Sequence, residues 1–559
     1  MVSSYGGESS LLFGSEVIKS AEGVQQGDPL GPCLFALTIQ PMVESIQSPL
    51  NCWYLDDGTL AGDPSIVEAD LLRIKETGQN LGLKLNVGKC EVASQNWNAN
   101  YVSPLSTCKQ IEFRDLMLLG VPLGVQVKTS CMADKIATLD RFASRLKLLQ
   151  PHQAFFLLKN SMSLPRINYI LRTTNMSAHR DLTTYDKVLR HTLEDILNVH
   201  LNDDKWKQAI LPVKHGGLGL RSSVDVSLPA FISSCMQSRE LSNEISGLEE
   251  VAGIESAIAL WTQMTGGANH PDSCSQEKWD FPLIDRAKNS VIASAVDDTN
   301  KARLLAATSG NSGDWLNSLP IPSLGLLLSE SELRISVSLR LGTDIVHPHA
   351  CVACGDEVRS IGIHGLSCRS SAGRMPRHSA ANDIIKRALS SAIVPSVLEP
   401  TGLSRQDGRR PDGLTLIPWS QGKCLVWDFT CCDTVARSNV QGCAQEASSA
   451  ANAAEQRKLS HYSDLSSNYF VVPVAVETYG SLGTVSTSFI KELSKRLIVA
   501  TGDNKSGSYF RQRLSIVIQR GNALAVMGTM ERGESLLDES EYRGHNSDLT
   551  LAETDTSRM

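Results

Sequence analysis

The sequence predicts a multidomain protein that combines α/β segments with all-helical ones. Three observations carry this. The chain has 559 residues, more than one hydrophobic core serves, since domains cluster near roughly 100–150 residues. Apolar spacing changes along the chain, from short runs broken by turn residues, to helical spacing, and back. A tight cysteine group begins at Cys351 and stands apart from the scattered others. Six segments follow: an α/β segment over 1–127, a helical domain over 128–235 and a helical connector over 236–345. Beyond these come a cysteine-rich segment over 346–382, a second α/β domain over 383–530, and a polar tail over 531–559 expected to be disordered.

Composition narrows the class. Hydrophobic residues make up 42% and charged residues 20%, as in ordinary globular chains, so no fibrous or disordered class is expected. No apolar run approaches the roughly 18–20 residues that span a bilayer. Residues 1–19 lack a basic region followed by an apolar core, so a membrane partner and secretion are not expected. A nuclear or cytoplasmic location follows, in which the 14 cysteines serve metal binding or burial rather than a disulfide framework. The net charge of −7 argues against bulk attraction to nucleic acid. Between Lys128 and Arg221, however, basic residues such as Arg141, Lys159, Arg172, Lys187 and Lys207 outnumber acidic ones. That stretch reads either as a phosphate-binding surface or as a solvated helical face. The sequence shows no internal repeat and says nothing of oligomeric state.

In the first segment, Trp53-Tyr54-Leu55 followed by Asp56-Asp57-Gly58 reads as a strand ending in a tight turn, with Gly58 supplying turn freedom. Two adjacent carboxylates at a hairpin tip suit a divalent cation with oxygen ligands, such as Mg²⁺ or Mn²⁺. Taken alone, the tetrapeptide reads more readily as an exposed turn. Upstream lies Gly23-Val24-Gln25-Gln26-Gly27-Asp28-Pro29-Leu30-Gly31-Pro32. Its glycines admit a flat ligand, and Pro29 is expected to start a helix. Downstream lie Asn86-Val87-Gly88-Lys89-Cys90 and Leu119-Gly120-Val121-Pro122-Leu123-Gly124.

This ordered set over residues 23–124 resembles the palm of reverse transcriptases. The resemblance implies a right-hand polymerase palm with Asp56 and Asp57 on the catalytic metal ions. Gln26, Gly27 and Pro29 would line the template and nucleotide pocket, and Lys84 and Lys89 would lie near the incoming triphosphate or support the palm. The helical segment to about residue 235 would be the thumb, gripping the template–primer duplex through its phosphates. His215-Gly216-Gly217-Leu218-Gly219-Leu220 also resembles a segment downstream of the palm in non-LTR retrotransposons. These polymerases carry a further catalytic aspartate and the fingers upstream. Here 22 residues precede Gly23, and their one candidate strand, Leu11 to Phe13, holds no acid. The polymerase is therefore expected to be N-terminally truncated and incomplete in this chain.

Cys351-Val352-Ala353-Cys354-Gly355, then His364 and Cys368, offers four soft or borderline ligands around a short loop, which fits tetrahedral structural Zn²⁺. Gly355 permits a tight ligand turn. His378 is a weaker alternative ligand, or a phosphate contact beside Arg374 and Arg377. From Asp383 a helix is expected to lead into strands near Leu414 to Ile417, Cys424 to Phe429 and Tyr469 to Glu477.

Arg410-Pro411-Asp412 precedes one strand, and Asp428 ends Leu425-Val426-Trp427 on another. Two carboxylates on adjacent strands can hold Mg²⁺, and a lysine can orient water for phosphodiester hydrolysis. This pattern resembles restriction-endonuclease-like nucleases. The family's lysine two places after the second acid is Thr430 here, so its role is carried to Lys458 on the next helix, with Tyr462 one turn later. Glu446 and Glu455 are lesser candidates. Palm, Cys-Cys-His-Cys knuckle and Pro-Asp…Asp in this order resemble site-specific non-LTR retrotransposon reverse transcriptases. The resemblance implies template RNA and target DNA as partners, with DNA nicking that primes reverse transcription. The competing reading is a non-catalytic nucleic-acid-binding remnant or domesticated element.

Overall fold

The structure is a computed structural model that describes residues 7–20, 23–24, 27–94, 104–247, 253–403 and 410–538. It has two units, Met1–Ser130 with Ser238–Val251, and Cys131–Gln237 with Ala252–Met559.

The first unit is built from short two-stranded ladders and two helices. Strands β1 (Ser9–Phe13) and β2 (Glu16–Ser20) form an antiparallel hairpin that leaves Leu12 and Phe13 exposed. Helix α1 (Gly31–Glu44) begins after the turn Asp28–Gly31, in which Leu30 N donates to Asp28 Oδ1 at 2.8 Å. The proline in its first turn is Pro32, not Pro29 as expected; a missing N–H costs nothing at that position. Helix α2 (Pro64–Asn80) is capped by Asp63, which accepts from Ser65 N. The helices meet through Ile39, Met42, Ile46 and Ile74, with Trp53 and Leu60 packed against them. Asp70 is buried in this interface and accepts from Gln47 N, Ser48 N, Ser48 Oγ and Arg73 Nη1. A buried carboxylate needs this full set of donors. Burial pushes its pKa up, but those donors outweigh it and hold the carboxyl below its usual range. Strands β3 (Leu50–Tyr54) and β4 (Asp57–Ala61) pair antiparallel. β5 (Glu91–Ala93) and β6 (Lys109–Ile111) pair parallel, and β7 (Met117–Leu118) and β8 (Val121–Pro122) antiparallel.

Ten helices run from α3 to α12: α3 (Val125–Leu146), α4 (Pro151–Leu157), α5 (Asn168–Thr173), α6 (Arg180–Leu197), α7 (Asp203–Ala209), α8 (Ser223–Ser246), α9 (Ile254–Thr265), α10 (Gln276–Ala293), α11 (Asp298–Ala307) and α12 (Glu330–Leu341). The expected separation of a helical domain ending near 235 from a connector does not hold in packing. Leu189, Leu193 and Leu218 share one core with Trp315, Leu333, Val337 and Leu341. Arg340 pins the same region: its guanidinium donates to the carbonyls of Gly217, Val213 and Ala307. The glycine-rich segment His215–Leu220 thus supplies one backbone acceptor, the Gly217 carbonyl, to a buried cation, which is a packing role.

The C-terminal α/β part has strand order β11-β12-β13-β14: β11 (Ser396–Leu398), β12 (Gly413–Ser420), β13 (Lys423–Cys432) and β14 (Phe470–Glu477). The first three pair antiparallel and β14 joins β13 in parallel. Before it lies the hairpin β9 (His349–Ala350) and β10 (Glu357–Val358), then α13 (His364–Ser367) and α14 (Arg374–Ser391). α14 starts at Arg374, earlier than the expected start at Asp383. Helices α15 (Val440–Cys443), α16 (Ser449–His461), α17 (Thr484–Thr501) and α18 (Ser506–Met527) complete the part. Apolar residues of α14, α17 and α18 and the inner sheet face, among them Ile385, Trp427, Val474, Leu493 and Leu514, form its core. The expected disorder from 531 is corrected in part: Leu537 N donates to Ile345 O at 2.9 Å and Leu536 packs on the Ile345 and Val346 core. Residues 539–559 lie outside the described residues.

In the β12–β13 register Gly413 faces Trp427 and Leu414 faces Val426. A Cβ on Gly413 would lie 2.1 Å from Trp427 Cζ2, so the indole covers the Cα of that glycine. Gly413→Ala is expected to lower the stability of the chain by about 1–3 kcal/mol through overpacking. Thermal or urea unfolding of the variant checks this, and an unchanged transition would contradict the close approach.

Candidate active site and metal centre

The acidic turn is a two-residue hairpin. Tyr54 pairs with Asp57, leaving Leu55 and Asp56 at the tip. The left-handed residue is Leu55, at φ 56°, not Gly58. Holding a non-glycine residue there costs roughly 1–3 kcal/mol. Gly58 has a different role: a Cβ on it would lie 2.7 Å from the Trp53 ring. Asp56 and Asp57 are both exposed. Among the described residues no third histidine, cysteine or acid is grouped with this pair. Gly27, Pro29, Lys84 and Lys89 are exposed, with Lys89 ending the short turn Val87–Lys89. Gln26 lies outside the described residues.

The cysteine cluster converges. The ligand atoms of Cys351, Cys354, His364 and Cys368 all lie within 4.8 Å of one another. Cys354 Sγ is 3.2 Å from His364 Nε2. The first two ligands come from the β9–β10 turn, where Gly355 N donates to Cys351 O and Gly355 takes φ 79°, a conformation that suits glycine. His364 opens α13 and Cys368 closes it, with Cys368 N bonded to His364 O. Burial raises the Cys351 thiol, but the amides of Ala353 and Cys354 outweigh it and lower its pKa. Amides aimed at a sulfur favour the thiolate that a metal requires. Three sulfurs and one imidazole in this geometry fit a closed tetrahedral zinc site. His378 is not part of it.

His378 instead meets the second acidic pair. Asp412 precedes β12 and Asp428 sits within β13. The Gly413–Trp427 rung puts the two acids on the next rung of the same register. Asp412 Oδ2 accepts from Phe429 N at 2.6 Å and lies 3.1 Å from His378 Nε2. Asp428 Oδ1 accepts from Lys458 Nζ at 2.7 Å, and its carboxylate also bonds the Tyr462 side chain. Lys458, on α16, therefore reaches Asp428. Trp427 Nε1 donates to Asn382 Oδ1 at 3.0 Å. Asn382 in turn lies beside His378 Nδ1 and bonds Asp412. The lesser candidates are elsewhere. Glu455 is buried and caps α17 through Val485 N and Ser486 N, and Glu446 is exposed.

Electrostatics separates the two acids. Burial raises the pKa of Asp412, but His378, the Phe429 amide and Asn382 outweigh it and keep it low. Burial raises Asp428 as well; Lys458 opposes this, the charge of Asp412 adds to it, and the net shift is upward. Asp412 is half-buried and Asp428 buried, and each is met by a basic group, His378 at Asp412 and Lys458 at Asp428. Sequence reasoning missed the contact of His378 with Asp412. The signal was present in its four-residue spacing from Asn382, which puts both on one helix face.

Comparisons with known proteins agree with part of this picture. Residues 9–113 match the family described as reverse transcriptase (RNA-dependent DNA polymerase). The chain is 24% identical over 214 residues to the retrotransposable element SLACS 132 kDa protein of Trypanosoma brucei gambiense, covering 37% of this chain and 18% of that protein. It is 24% identical over 324 residues to the retrovirus-related Pol polyprotein from type-1 retrotransposable element R2 of Popillia japonica, covering 53% of this chain and 50% of that protein. The chain thus spans half or less of the length of these relatives. It carries a reverse-transcriptase segment and is similar to retrotransposon proteins beyond it. No helix among the described residues is long and apolar enough to cross a membrane.

Two predictions follow from the geometry. Elemental analysis is expected to find one zinc per chain, and Cys368→Ser to lose it along with thermal stability; a zinc-free, equally stable parent would contradict the donor set. In metal-free protein the hydrogen bond and charge of Asp412 raise the pKa of His378 above the ordinary value, against burial. The ion pair then stabilises fully below about pH 6.5 and is lost as pH rises through the raised value. On the acid side it is lost as pH falls through the lowered pKa of Asp412. Imidazole chemical shifts are expected to place His378 above 6.5, and in Asp412→Asn to bring it down.

Proposed function

We propose that this chain acts as a retrotransposon-type RNA-directed DNA polymerase segment joined to a metal-dependent DNA-nicking endonuclease, for target-primed reverse transcription. The observation that carries the nuclease reading is the convergence of Asp412, Asp428, Lys458 and His378 at one end of the β12–β13 pair, in a chain whose residues 9–113 match reverse transcriptases. Asp412 and Asp428 would hold Mg²⁺ or Mn²⁺, which when bound stabilises charge on the phosphodiester oxygens. Lys458 orients the attacking water, and Tyr462 shares Asp428 with it. His378 and Asn382 act as positioning residues that hold the Asp412 carboxylate on its rung.

In the polymerase segment, Asp56 and Asp57 bind divalent cations. Gln26, Gly27 and Pro29 line the template and nucleotide pocket, and Lys84 and Lys89 face the incoming triphosphate. The Cys351, Cys354, His364 and Cys368 site holds structural zinc. The helical region takes the role of a thumb on template RNA and its DNA copy. A second reading, a nucleic-acid binder without turnover, is favoured by the exposed Asp56–Asp57 pair, which has no third ligand grouped with it among the described residues.

Nicking of supercoiled DNA separates the readings. The full chain is expected to nick in Mg²⁺ or Mn²⁺, with Asp428→Ala and Lys458→Ala each reducing the rate at least about 100-fold, the lower range for a positioned acid–base group. Unfolding curves of the variants must match the parent for this comparison. Equal nicking by Asp428→Ala and the parent would reject the assignment. Salt-sensitive binding with no nicking by any form would favour the second reading.

A further inference from the structure

Outside these sites, the first unit holds a pair of cysteines set side by side. Cys90 immediately precedes β5 and Cys108 immediately precedes β6. These strands run parallel, with Glu91 facing Lys109 and Val92 facing Gln110. The same register puts Cys90 opposite Cys108, and Lys109 N donates to Cys90 O at 2.9 Å. The two thiols lie within hydrogen-bonding reach of each other. Neighbouring strands are about 4.7–4.9 Å apart, inside the roughly 4.4–6.8 Å between Cα atoms that a disulfide spans. Cys108 is buried and Cys90 is partly accessible. One thiol is therefore open to an external reagent, and the other is shielded and poised beside it.

We propose that Cys90 and Cys108 form a thiol–disulfide switch that takes a small-molecule disulfide as its oxidant. The Cys90 thiolate attacks one sulfur of glutathione disulfide, forming a mixed disulfide and releasing one glutathione thiolate. The Cys108 sulfur then attacks the Cys90 sulfur, the Cys90–glutathione bond breaks, and the second glutathione leaves. In sum, two protein thiols are oxidised to one disulfide, one glutathione disulfide is reduced to two thiols, and the two protons pass to the leaving thiolates. The bond fastens the start of β5 to the start of β6. It also restrains the turn Val87–Lys89 directly ahead of Cys90, whose C-cap residue Cys90 itself is. Burial raises both thiol pKa values, which lowers the thiolate fraction and slows attack on an oxidant. The switch does not depend on the activity proposed above.

The test treats the native full-length chain with glutathione disulfide, blocks remaining thiols, and maps linked peptides by mass spectrometry. The expected result is a Cys90–Cys108 link with the loss of two hydrogens, reversed by dithiothreitol, and slower limited proteolysis at the Val87–Lys89 turn. Cys108→Ser is expected to trap the mixed disulfide at Cys90 instead, and this variant reads out even if the linked form is poorly populated. Failure of the parent to link the pair, or the same protease protection in a Cys90→Ser, Cys108→Ser double variant, would overturn the switch.

Discussion

The second acidic site depends on one packing constraint: the Trp427 indole lies against the bare Cα of Gly413. That contact sets which residue of β12 faces which residue of β13. A slip of one residue would turn every side chain of the strand to the opposite face. With the rung fixed, Asp412 and Asp428 fall side by side. The same indole then reaches outward, donating to Asn382 on α14. Asn382 and His378, one turn apart, bring the helix to the Asp412 carboxylate. A single aromatic side chain thus locks the register and joins the sheet to the helix that completes the site.

α14 is itself held from behind. Arg377, next to His378, donates to Asn522 of α18 at 2.7 Å, and a Cβ on Gly521 would meet the Arg377 side chain. α18 continues to the cysteine cluster, where Val352 N bonds Thr529 O and Cys351 and Cys368 share a core with Ala523, Ala525 and Val526. The zinc-type knuckle and the acidic pair therefore sit at opposite ends of one chain of packed elements. A knuckle with little core of its own borrows this helix as its floor, and in return fixes the end of the helix.

Much of this was legible in the sequence, for local reasons. Cysteine spacing marks the ligand set because a metal needs its donors within a few residues of each turn. Asp412 and Asp428 were readable as neighbours because each abuts an apolar run of strand length. Lys458 was carried over only by resemblance, because Thr430 stands at the family's lysine position; its contact with Asp428 comes from the return of helix α16 to the sheet. What was missed depends on contacts far apart in sequence. His378 was read as a weaker alternative ligand of the cysteine cluster or as a phosphate contact beside Arg374 and Arg377, and the helix was expected from Asp383. With α14 beginning at Arg374, His378 and Asn382 share a helix face and its target changes. Gly58 was read as the flexible turn residue, yet Trp53 needs it bare and leaves Leu55 to take the left-handed conformation. The shared core of Leu193 and Leu218 with Leu333 and Val337 joins helices that periodicity shows only one at a time.

The central claim is that Asp412 and Asp428 hold a divalent cation between them. Iron-directed cleavage tests it most directly. Fe²⁺ bound to the full chain, with ascorbate and peroxide, releases hydroxyl radical at the metal and cuts nearby backbone. Cuts flanking Asp412 and Asp428 that excess Mg²⁺ suppresses, and that are absent in an Asp412→Asn, Asp428→Asn variant, are the predicted result. A full chain that is cut elsewhere but left intact at both strands would contradict it.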